Sequence, residues 1–300
     1  MLKFFVCSYG RIPVEDCLRK CPGGDRCLSL PTLIQISWQR PWEGKPSITQ
    51  LLNGTRMAYL EIIKDYAVKP DDMAFALLGT RHHFRLDKIA KKIDALSEEK
   101  LEDEETKGTL DLLVPDETTD EEKYLLYDYK TSGSFKVAKA LGLTAIKVPS
   151  PTEVYEKSGS WGKAGTPKML TIWDQNPAHV DMWDWELQLN AYRLKVEKIG
   201  FSISKMFIQV TARDGGTFIA ENRGVMKNIY LIPVKRLDDE KVGAYFVTKA
   251  SNLLNALNRK ELPPPCNDQE NWEGNRCKSY CNVWEWCDLG TKLHKEKEVI

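Results

Sequence analysis

The sequence predicts a mixed α/β protein with a cysteine-rich segment at each end. Helical periodicity alternates with short apolar runs typical of strands, in the order helices, strand, strand, helix, strand, strand, helix. The 300 residues are 42% hydrophobic and 29% charged, as in a globular chain with ample length for a core. All eight cysteines lie within residues 7–27 or 266–287. We therefore expect a cysteine-rich N-terminal segment (1–45), a core (46–260) and a cysteine-rich C-terminal segment (261–300).

The chain before the first core strand is predicted to be irregular and then helical. Residues 1–45 contain recurring Pro and Gly and are expected to lack regular structure. Ser47–Gln50 has the pattern of a capping box and opens short helical segments through Tyr66. Pro70 starts a second helix, whose apolar positions carry it to about Leu96.

The remainder of the core is predicted to alternate strands and helices. The acidic stretch from Ser97 to Lys123 is expected to be mostly solvated surface around one strand, Gly108–Val114. Residues 144–178 lack a clear period and are expected to form a mobile loop. The other predicted elements are a strand at Tyr124–Tyr129, helices at Ser134–Leu141 and Val180–Ile199, strands at Ile203–Ala212 and Ile229–Val234, and a last core helix at Asp238–Leu257.

Charge and hydropathy narrow the classes of function. Lys+Arg and Asp+Glu both number 43, so no global basic field draws the chain to nucleic acid, and any such site must be local. The apolar start MLKFFVCSYG is too short for a signal peptide, and no window approaches the apolar length of a membrane span. We therefore expect a cytoplasmic protein.

One acid–base pair ends an apolar strand. Asp128 and Lys130 are residues i and i+2 of that strand and so share a face. An ordinary surface ion pair is the alternative, and other D/E-x-K tripeptides such as Glu98–Lys100 are taken as chance matches. The preceding strand, however, carries a lone acid, Asp111, among leucines, and such an acid is costly to bury without a partner or a metal. Two carboxylates at neighbouring strand ends predict a site for Mg²⁺ or Mn²⁺.

Two helices add candidate residues at a spacing of i and i+4, which places each pair on one helix face. His83 and Asp87 form the first pair, and the imidazole of His83 would suit Mn²⁺ better than Mg²⁺. The alternative is a partly buried histidine with a backbone partner. Gln188 and Tyr192 form the second pair, suited to contact a phosphate or to orient the lysine. An amphipathic core helix with polar edges is the alternative there.

The cysteines form two quartets with nearly the same spacing, C-x9/10-C-x3-C-x5-C. In a reducing compartment such clusters more often bind metal than form disulfides. Three arrangements stay open: each quartet binds its own metal, with zinc the simplest choice; the ends share ligands around one cluster; or some cysteines are buried thiols. The N-terminal quartet is Cys7, Cys17, Cys21 and Cys27, and the C-terminal quartet is Cys266, Cys277, Cys281 and Cys287.

Four short motifs follow one another along the chain: G-x3-H at Gly79–His83, G-x2-D at Gly108–Asp111, D-x-K at Asp128–Lys130 and Q-x3-Y at Gln188–Tyr192. From Ser47 to about Leu257, this series resembles the motifs of PD-(D/E)xK nucleases of the RecB type. That group includes the AddB nuclease domains and the CRISPR adaptation nucleases that carry an iron–sulfur cluster. The resemblance implies a restriction-endonuclease-like core, a mixed β-sheet flanked by helices.

The resemblance also implies roles for individual residues. In the cluster-bearing relatives one upstream cysteine joins three near the C-terminus to hold a 4Fe–4S cluster, which implies such a role for Cys27 with Cys277, Cys281 and Cys287. Asp87 departs from several relatives, which have Glu at that position. The implied roles at the active site are metal ligation by His83, Asp111, Asp128 and the backbone carbonyl of Tyr129, water activation by Lys130, and support of the site and substrate by Gln188 and Tyr192.

The function that follows is a metal-dependent DNA nuclease with Mg²⁺ or Mn²⁺ as its catalytic ion. We expect an exonuclease acting on single strands or duplex ends in replication, recombination or repair, in a phage or mobile-element setting. A helicase or a recombination or annealing protein is the expected partner, because the chain has no net charge to hold DNA. The alternatives are a non-catalytic nucleic-acid-binding module with the same fold and a redox-responsive iron–sulfur regulator.

Overall fold

The computed structural model describes residues 1–160 and 162–298. The protein has a mixed α/β fold in which mixed sheets are flanked by helices. The chain divides into two compact units. The first comprises Met1–Leu126, Leu187–Ser204 and Arg236–Ile300, and the second comprises Tyr127–Glu186 and Lys205–Lys235.

The strands form three sheets. The first has the order β2-β1-β3, the second β10-β9-β6-β5-β4, and the third is the ribbon β7-β8. Strand β1 runs antiparallel to β2 and parallel to β3, and the pairs β4–β5, β7–β8 and β9–β10 are antiparallel. The strands are β1 (Leu2–Cys7), β2 (Gly10–Pro13), β3 (Tyr66–Val68), β4 (Leu96–Glu102), β5 (Lys107–Pro115), β6 (Tyr124–Ser132), β7 (Leu143–Val154), β8 (Pro167–Gln175), β9 (Ile203–Ala212) and β10 (Ile229–Val234).

The helices range from single turns to α9, which has 21 residues. They are α1 (Val14–Arg19), α2 (Leu30–Ser37), α3 (Ile48–Leu51), α4 (Thr55–Ile63), α5 (Ala74–Ala90), α6 (Ser134–Leu141), α7 (Trp183–Lys198), α8 (Phe218–Glu221), α9 (Asp239–Arg259), α10 (Asp268–Asn271), α11 (Asn275–Ser279) and α12 (Asp288–Glu298). Within the described residues, none of these helices combines the length and the apolar character needed to cross a bilayer.

The first unit places α5 against β4 and β5, and α3 against β5. Helices α3 and α4 pack against α9. Its core includes Leu110 and Leu113 of β5, Leu189 of α7 and Leu253 of α9, all fully buried. Burying a side chain of this size stabilises the fold by about 1.5–3 kcal/mol. Strand β5 is therefore held firmly in place by the leucines on either side of Asp111.

The second unit is built around β9 and α6. The side chains of β9 alternate between buried and partly exposed, with Ile208 and Val210 fully buried, as a strand with one covered face requires. Helix α6 packs against α8 and β7. At its start, the backbone N–H and the hydroxyl of Ser134 both donate to the carboxylate of Asp214 at 2.6 Å. This carboxylate caps the turn that follows β6.

The structure confirms several predicted elements and corrects others. The strands predicted at Ile203–Ala212 and Ile229–Val234 have those bounds, and the side chain of Ser47 accepts from the backbone N–H of Gln50 as a helix cap. The expectation of an irregular N-terminus is wrong, because β1, β2, α1 and α2 lie there. The expected mobile loop at 144–178 is likewise wrong, because most of that segment forms the ribbon of β7 and β8.

Candidate functional site

Three potential metal ligands meet where α5 lies against β4 and β5. The ligand atoms of His83, Glu98 and Asp111 all lie within 4.8 Å of one another. The Nδ1 atom of His83 is 3.3 Å from Oε1 of Glu98 and 3.4 Å from Oδ1 of Asp111. In the antiparallel β4–β5 pair Ser97 lies opposite Leu112, which places Glu98 across from Asp111. Directly opposed residues of neighbouring strands bring their side chains together on one face. We refer to His83, Glu98 and Asp111 as the carboxylate–imidazole group.

Glu98 has an unusual backbone for a strand residue. Its φ of 52° lies in the left-handed region, which glutamate rarely adopts and which costs about 1–3 kcal/mol. Such strain persists only where the surroundings impose it, and Asp87 supplies part of that constraint. Its carboxylate accepts a hydrogen bond of 2.6 Å from the hydroxyl of Ser97 and forms an ion pair with Lys91 at 2.9 Å. Asp87 therefore joins α5 to β4 beside Glu98 and positions that strand.

The carboxylate–imidazole group carries an excess of negative charge. Burial by itself would lower the pKa of His83, but hydrogen bonds to Asp111 and Glu98 and the charges of these two carboxylates raise it to about 10. Asp111 is buried, so its charge is poorly screened by water. One imidazole nitrogen and two carboxylates suit Mn²⁺, and the carboxylates also suit Mg²⁺. The residues therefore fit the divalent cation expected from the sequence.

The D-x-K residues lie in β6, within the second unit. The Nζ atom of Lys130 is 2.5 Å from Oδ2 of Asp128, as expected for residues i and i+2 on one strand face. Asp128 is 2% exposed and Tyr129 is also buried. A carboxylate at this depth does not belong to an ordinary surface ion pair, although Asp128 and Lys130 do pair with each other, and metal ligation by Asp128 stays a prediction.

The Q-x3-Y residues are buried on α7. The side-chain amide of Gln188 donates to the hydroxyl of Tyr192 at 3.0 Å. The ring of Tyr192 lies against Gly108, where an added Cβ would be 2.6 Å from the Cε1 atom. Only glycine permits this approach, so the first residue of the G-x2-D motif serves packing. The pair thereby fixes the start of β5, three residues before Asp111.

The C-terminal quartet surrounds the start of α4. Cys266 packs on Gly54, where a Cβ would overlap its sulfur. Burial raises the pKa of Cys266, and the charges of Glu270, Cys277 and Cys287 raise it further. The pKa of Cys281 is raised to about 12, mainly by burial. The charges of the neighbouring Glu61, Cys277 and Cys266 also raise it. These cysteines are neighbours, but among the described residues no three of their sulfurs lie within 4.8 Å of one another.

Arg56 lies beside this quartet and is buried. Its Nη1 atom donates to the sulfur of Cys287 at 3.6 Å, and its Nε donates to the carbonyl of Pro263 at 2.6 Å. In the part of the chain that the structure describes, no carboxylate lies within ion-pair distance of this guanidinium. A permanent buried cation requires an anion nearby. The sulfur of Cys287 is therefore a candidate for that anion.

The N-terminal quartet is a separate group. Burial raises the pKa of Cys17, and Cys27, Cys21 and Cys7 raise it further in that order. Cys27 therefore lies with its N-terminal neighbours, and the fourth cysteine beside the terminal trio is Cys266.

Two residues at these sites, Glu98 and Arg56, were not predicted from the sequence. Glu98 was interpreted as part of one of several chance D/E-x-K matches. Its position in β4, opposite Asp111, makes its carboxylate a ligand candidate. Arg56 carried no motif at all. The only signal for Glu98 would have been the recognition of β4 as a strand.

Comparisons with known proteins add little. No family model matches the chain, and no curated protein matches it. Among solved structures, the crystal structure of SSO0001 aligns over 92% of this chain and 96% of that chain, with 14% identity and a TM-score of 0.41. What is established is the class, a mixed α/β protein with mixed sheets flanked by helices.

Proposed function

We propose that this protein is a metal-dependent nuclease that hydrolyses phosphodiester bonds in DNA. The observation that carries the proposal is the carboxylate–imidazole group, in which Glu98 holds a strained backbone opposite Asp111 and beside His83. Strained residues concentrate at functional sites, and a purely structural ion pair would not need one. The order of the four sequence motifs supports a nuclease over other metal enzymes.

The chemistry follows from the donors present. A Mg²⁺ or Mn²⁺ ion would supply a water of lowered pKa and would neutralise charge developing on the phosphoryl oxygens. Glu98 and Asp111 provide the anionic oxygens, and His83 provides a nitrogen once its proton is released. Lys130 holds a positive charge against Asp128 and is proposed to orient the attacking water. Asp128 and the carbonyl of Tyr129 keep the ligand roles implied by the resemblance, with Gln188 and Tyr192 as buried supports.

The succession of elements supports the finer fold proposal. Helix α5 is followed by β4, β5 and β6 and then by α6, the order in which a restriction-endonuclease-like core would present its motifs. The same proposal includes exonuclease action on single strands or duplex ends. A helicase or annealing protein would deliver the DNA. The zero net charge supports the need for such a partner.

The C-terminal quartet is proposed to hold a 4Fe–4S cluster or zinc. Four cysteines are a donor set that suits either metal, and the buried Arg56 donates to the sulfur of one of them, Cys287. Either metal centre would hold together the short helices α10 and α11 and the turns around them, which have little core of their own. Iron and zinc analysis of anaerobically purified protein decides between them.

The test is cleavage of labelled single- and double-stranded DNA with Mg²⁺ or Mn²⁺. Asp111→Asn and Lys130→Met should each reduce the rate at least about 100-fold while the far-ultraviolet circular dichroism is unchanged. Lys241→Met is the matched control, because Lys241 is exposed and belongs to the exposed Asp239–Lys241 tripeptide at the start of α9, so this variant should cleave DNA at the parent rate. Cleavage that survives both changes would reject the active-site assignment. DNA binding without any cleavage by the parent would favour a non-catalytic module.

A further inference from the structure

The N-terminal cysteines lie on three different pieces of a small substructure. Cys7 ends β1 and is paired with Gly10 in the hairpin to β2. Cys17 lies in α1, which packs against both strands. Cys21 and Cys27 lie in the connection between α1 and α2. A hairpin, a helix and a loop thus carry four cysteines that are separated by up to twenty residues, and among the described residues no three of their sulfurs lie within 4.8 Å of one another.

The connection from Lys20 to Ser29 is held by few contacts. It forms no helix or strand in the described structure, and none of its side chains is fully buried. Arg26 ties it back to α1, because its Nη2 atom donates to the carbonyls of Leu18 and Arg19 at 2.8 and 3.1 Å. This contact returns Cys27 to the end of the helix that carries Cys17. Ordering such a segment costs about 1–2 kcal/mol per residue, and apolar burial does not offset it.

Arg26 also provides an observation that points to an anion. Its Nε atom is buried and finds no hydrogen-bond acceptor among the residues that the structure describes. Buried N–H groups nearly always have a partner, and a guanidinium favours an anionic one. The C-terminal quartet shows the same arrangement with its partner in place, since Arg56 donates to the sulfur of Cys287. A thiolate sulfur of the N-terminal quartet would satisfy Arg26 in the same way.

We propose that Cys7, Cys17, Cys21 and Cys27 form a structural zinc site, separate from the C-terminal quartet, with Arg26 donating to one of its sulfurs. Zinc is favoured over an iron–sulfur cluster because Cys27 is exposed and the other three are partly so, and zinc is inert to redox chemistry. Tetrahedral zinc binds sulfur at about 2.3 Å and brings the four sulfurs within about 4 Å of one another. Binding therefore draws the connection against α1. The site does not depend on the proposed nuclease activity.

The experiment is metal analysis of the full-length chain, purified without oxygen from zinc-supplemented medium. Cys17→Ser and Cys27→Ser should each lose about one zinc per chain and leave the metal of the C-terminal quartet unchanged. Cys277→Ser is the matched control and should lose the C-terminal metal while keeping the N-terminal zinc. Retention of all zinc by Cys17→Ser, or a parent protein without zinc in this medium, would overturn the proposal.

Two further readouts keep the test decisive if a cysteine variant fails to fold. Arg26→Met retains all four ligands and should weaken zinc binding about 10-fold in competition with a chelating dye, as loss of a ligand's hydrogen-bond partner does. Co²⁺ exchanged into Cys277→Ser should give the visible bands of a tetrahedral thiolate site. Unchanged affinity in Arg26→Met would remove Arg26 from the site, and an octahedral Co²⁺ spectrum would reject the four-thiolate assignment.

Discussion

The first unit contains two kinds of candidate metal site, which place their side chains in opposite ways. The carboxylate–imidazole group is built on α5, β4 and β5, where hydrogen-bonded strands fix the donors in place. The two cysteine quartets lie on hairpin ends, single-turn helices and connections. A site on regular elements keeps its geometry without an ion, whereas thiols on irregular chain would depend on the proposed metal to hold them in place. The first design suits chemistry on an exchangeable ion, and the second suits stabilisation.

The two regions also balance charge differently. Glu98 and Asp111 raise the pKa of His83, so that the imidazole carries a proton. The group still has a net negative charge, which a bound cation would neutralise. The quartets instead have resident cations, Arg56 at the C-terminal end and Arg26 at the N-terminal end. We expect variants of the first region to change activity while preserving the fold. Variants of the second should change stability.

The largest expected effect is on catalysis, from Glu98→Gln. The change removes one anionic ligand but keeps the size of the side chain, so the DNA cleavage rate should fall about 100-fold with little change in melting temperature. Glu99→Gln is the matched control, because the neighbouring glutamate of β4 is exposed and lies outside the carboxylate–imidazole group. Equal activity in the two variants would show that Glu98 is not a ligand and that its strained backbone serves another purpose.

A large effect on stability is expected from Arg56→Met. This change removes the hydrogen bonds that the buried guanidinium donates to the sulfur of Cys287 and to the carbonyl of Pro263, and it should lower the free energy of unfolding by about 3 kcal/mol. Urea denaturation followed by tryptophan fluorescence measures it. Arg259→Met removes an exposed arginine and should change stability by less than about 0.5 kcal/mol. Should Arg56→Met be as stable as Arg259→Met, the contacts of Arg56 would not stabilise the region of the quartet, and the contrast between the regions would be lost.

The strands with strong side-chain patterns were predictable from sequence, and the site was predictable only in part. β9 alternates buried and partly exposed residues, so its bounds at Ile203–Ala212 followed from the period alone. β4 was missed because four of its seven residues are charged, and backbone pairing with β5 holds it as a strand. His83 and Asp111 were found through motifs, whereas Glu98 depended on the strand that was missed.

The ribbon of β7 and β8 shows a second limit. Its apolar residues are paired across strands, with Ile146 opposite Ile172 and Val148 opposite Leu170. Such pairing is invisible until the register of the two strands is known, and Pro149 and Pro151 further weaken the strand pattern. Long-range pairing also explains why the N-terminal strands were not predicted, since Phe5 of β1 lies opposite Val68 of β3.

The smallest expected effect tests the joint between α5 and β4. Hydrogen bonds from Ser97 and Lys91 lower the pKa of Asp87, so its folded value lies below the unfolded value of about 3.9. The stabilisation is therefore complete above about pH 4 and is lost as the pH falls through the folded pKa. Asp87→Asn should reduce stability by about 1 kcal/mol at pH 7, and the difference from the parent should shrink in urea denaturations at lower pH.

The same variant separates positioning from ligation. Because Asp87 holds Ser97 next to Glu98, its loss should lower the cleavage rate only a few-fold, far less than Glu98→Gln does. Ser97→Ala should reproduce this modest loss, and adding it to Asp87→Asn should change little more, since the two side chains share one hydrogen bond. A loss as large as that of Glu98→Gln would instead make Asp87 a ligand and extend the carboxylate–imidazole group by a fourth residue.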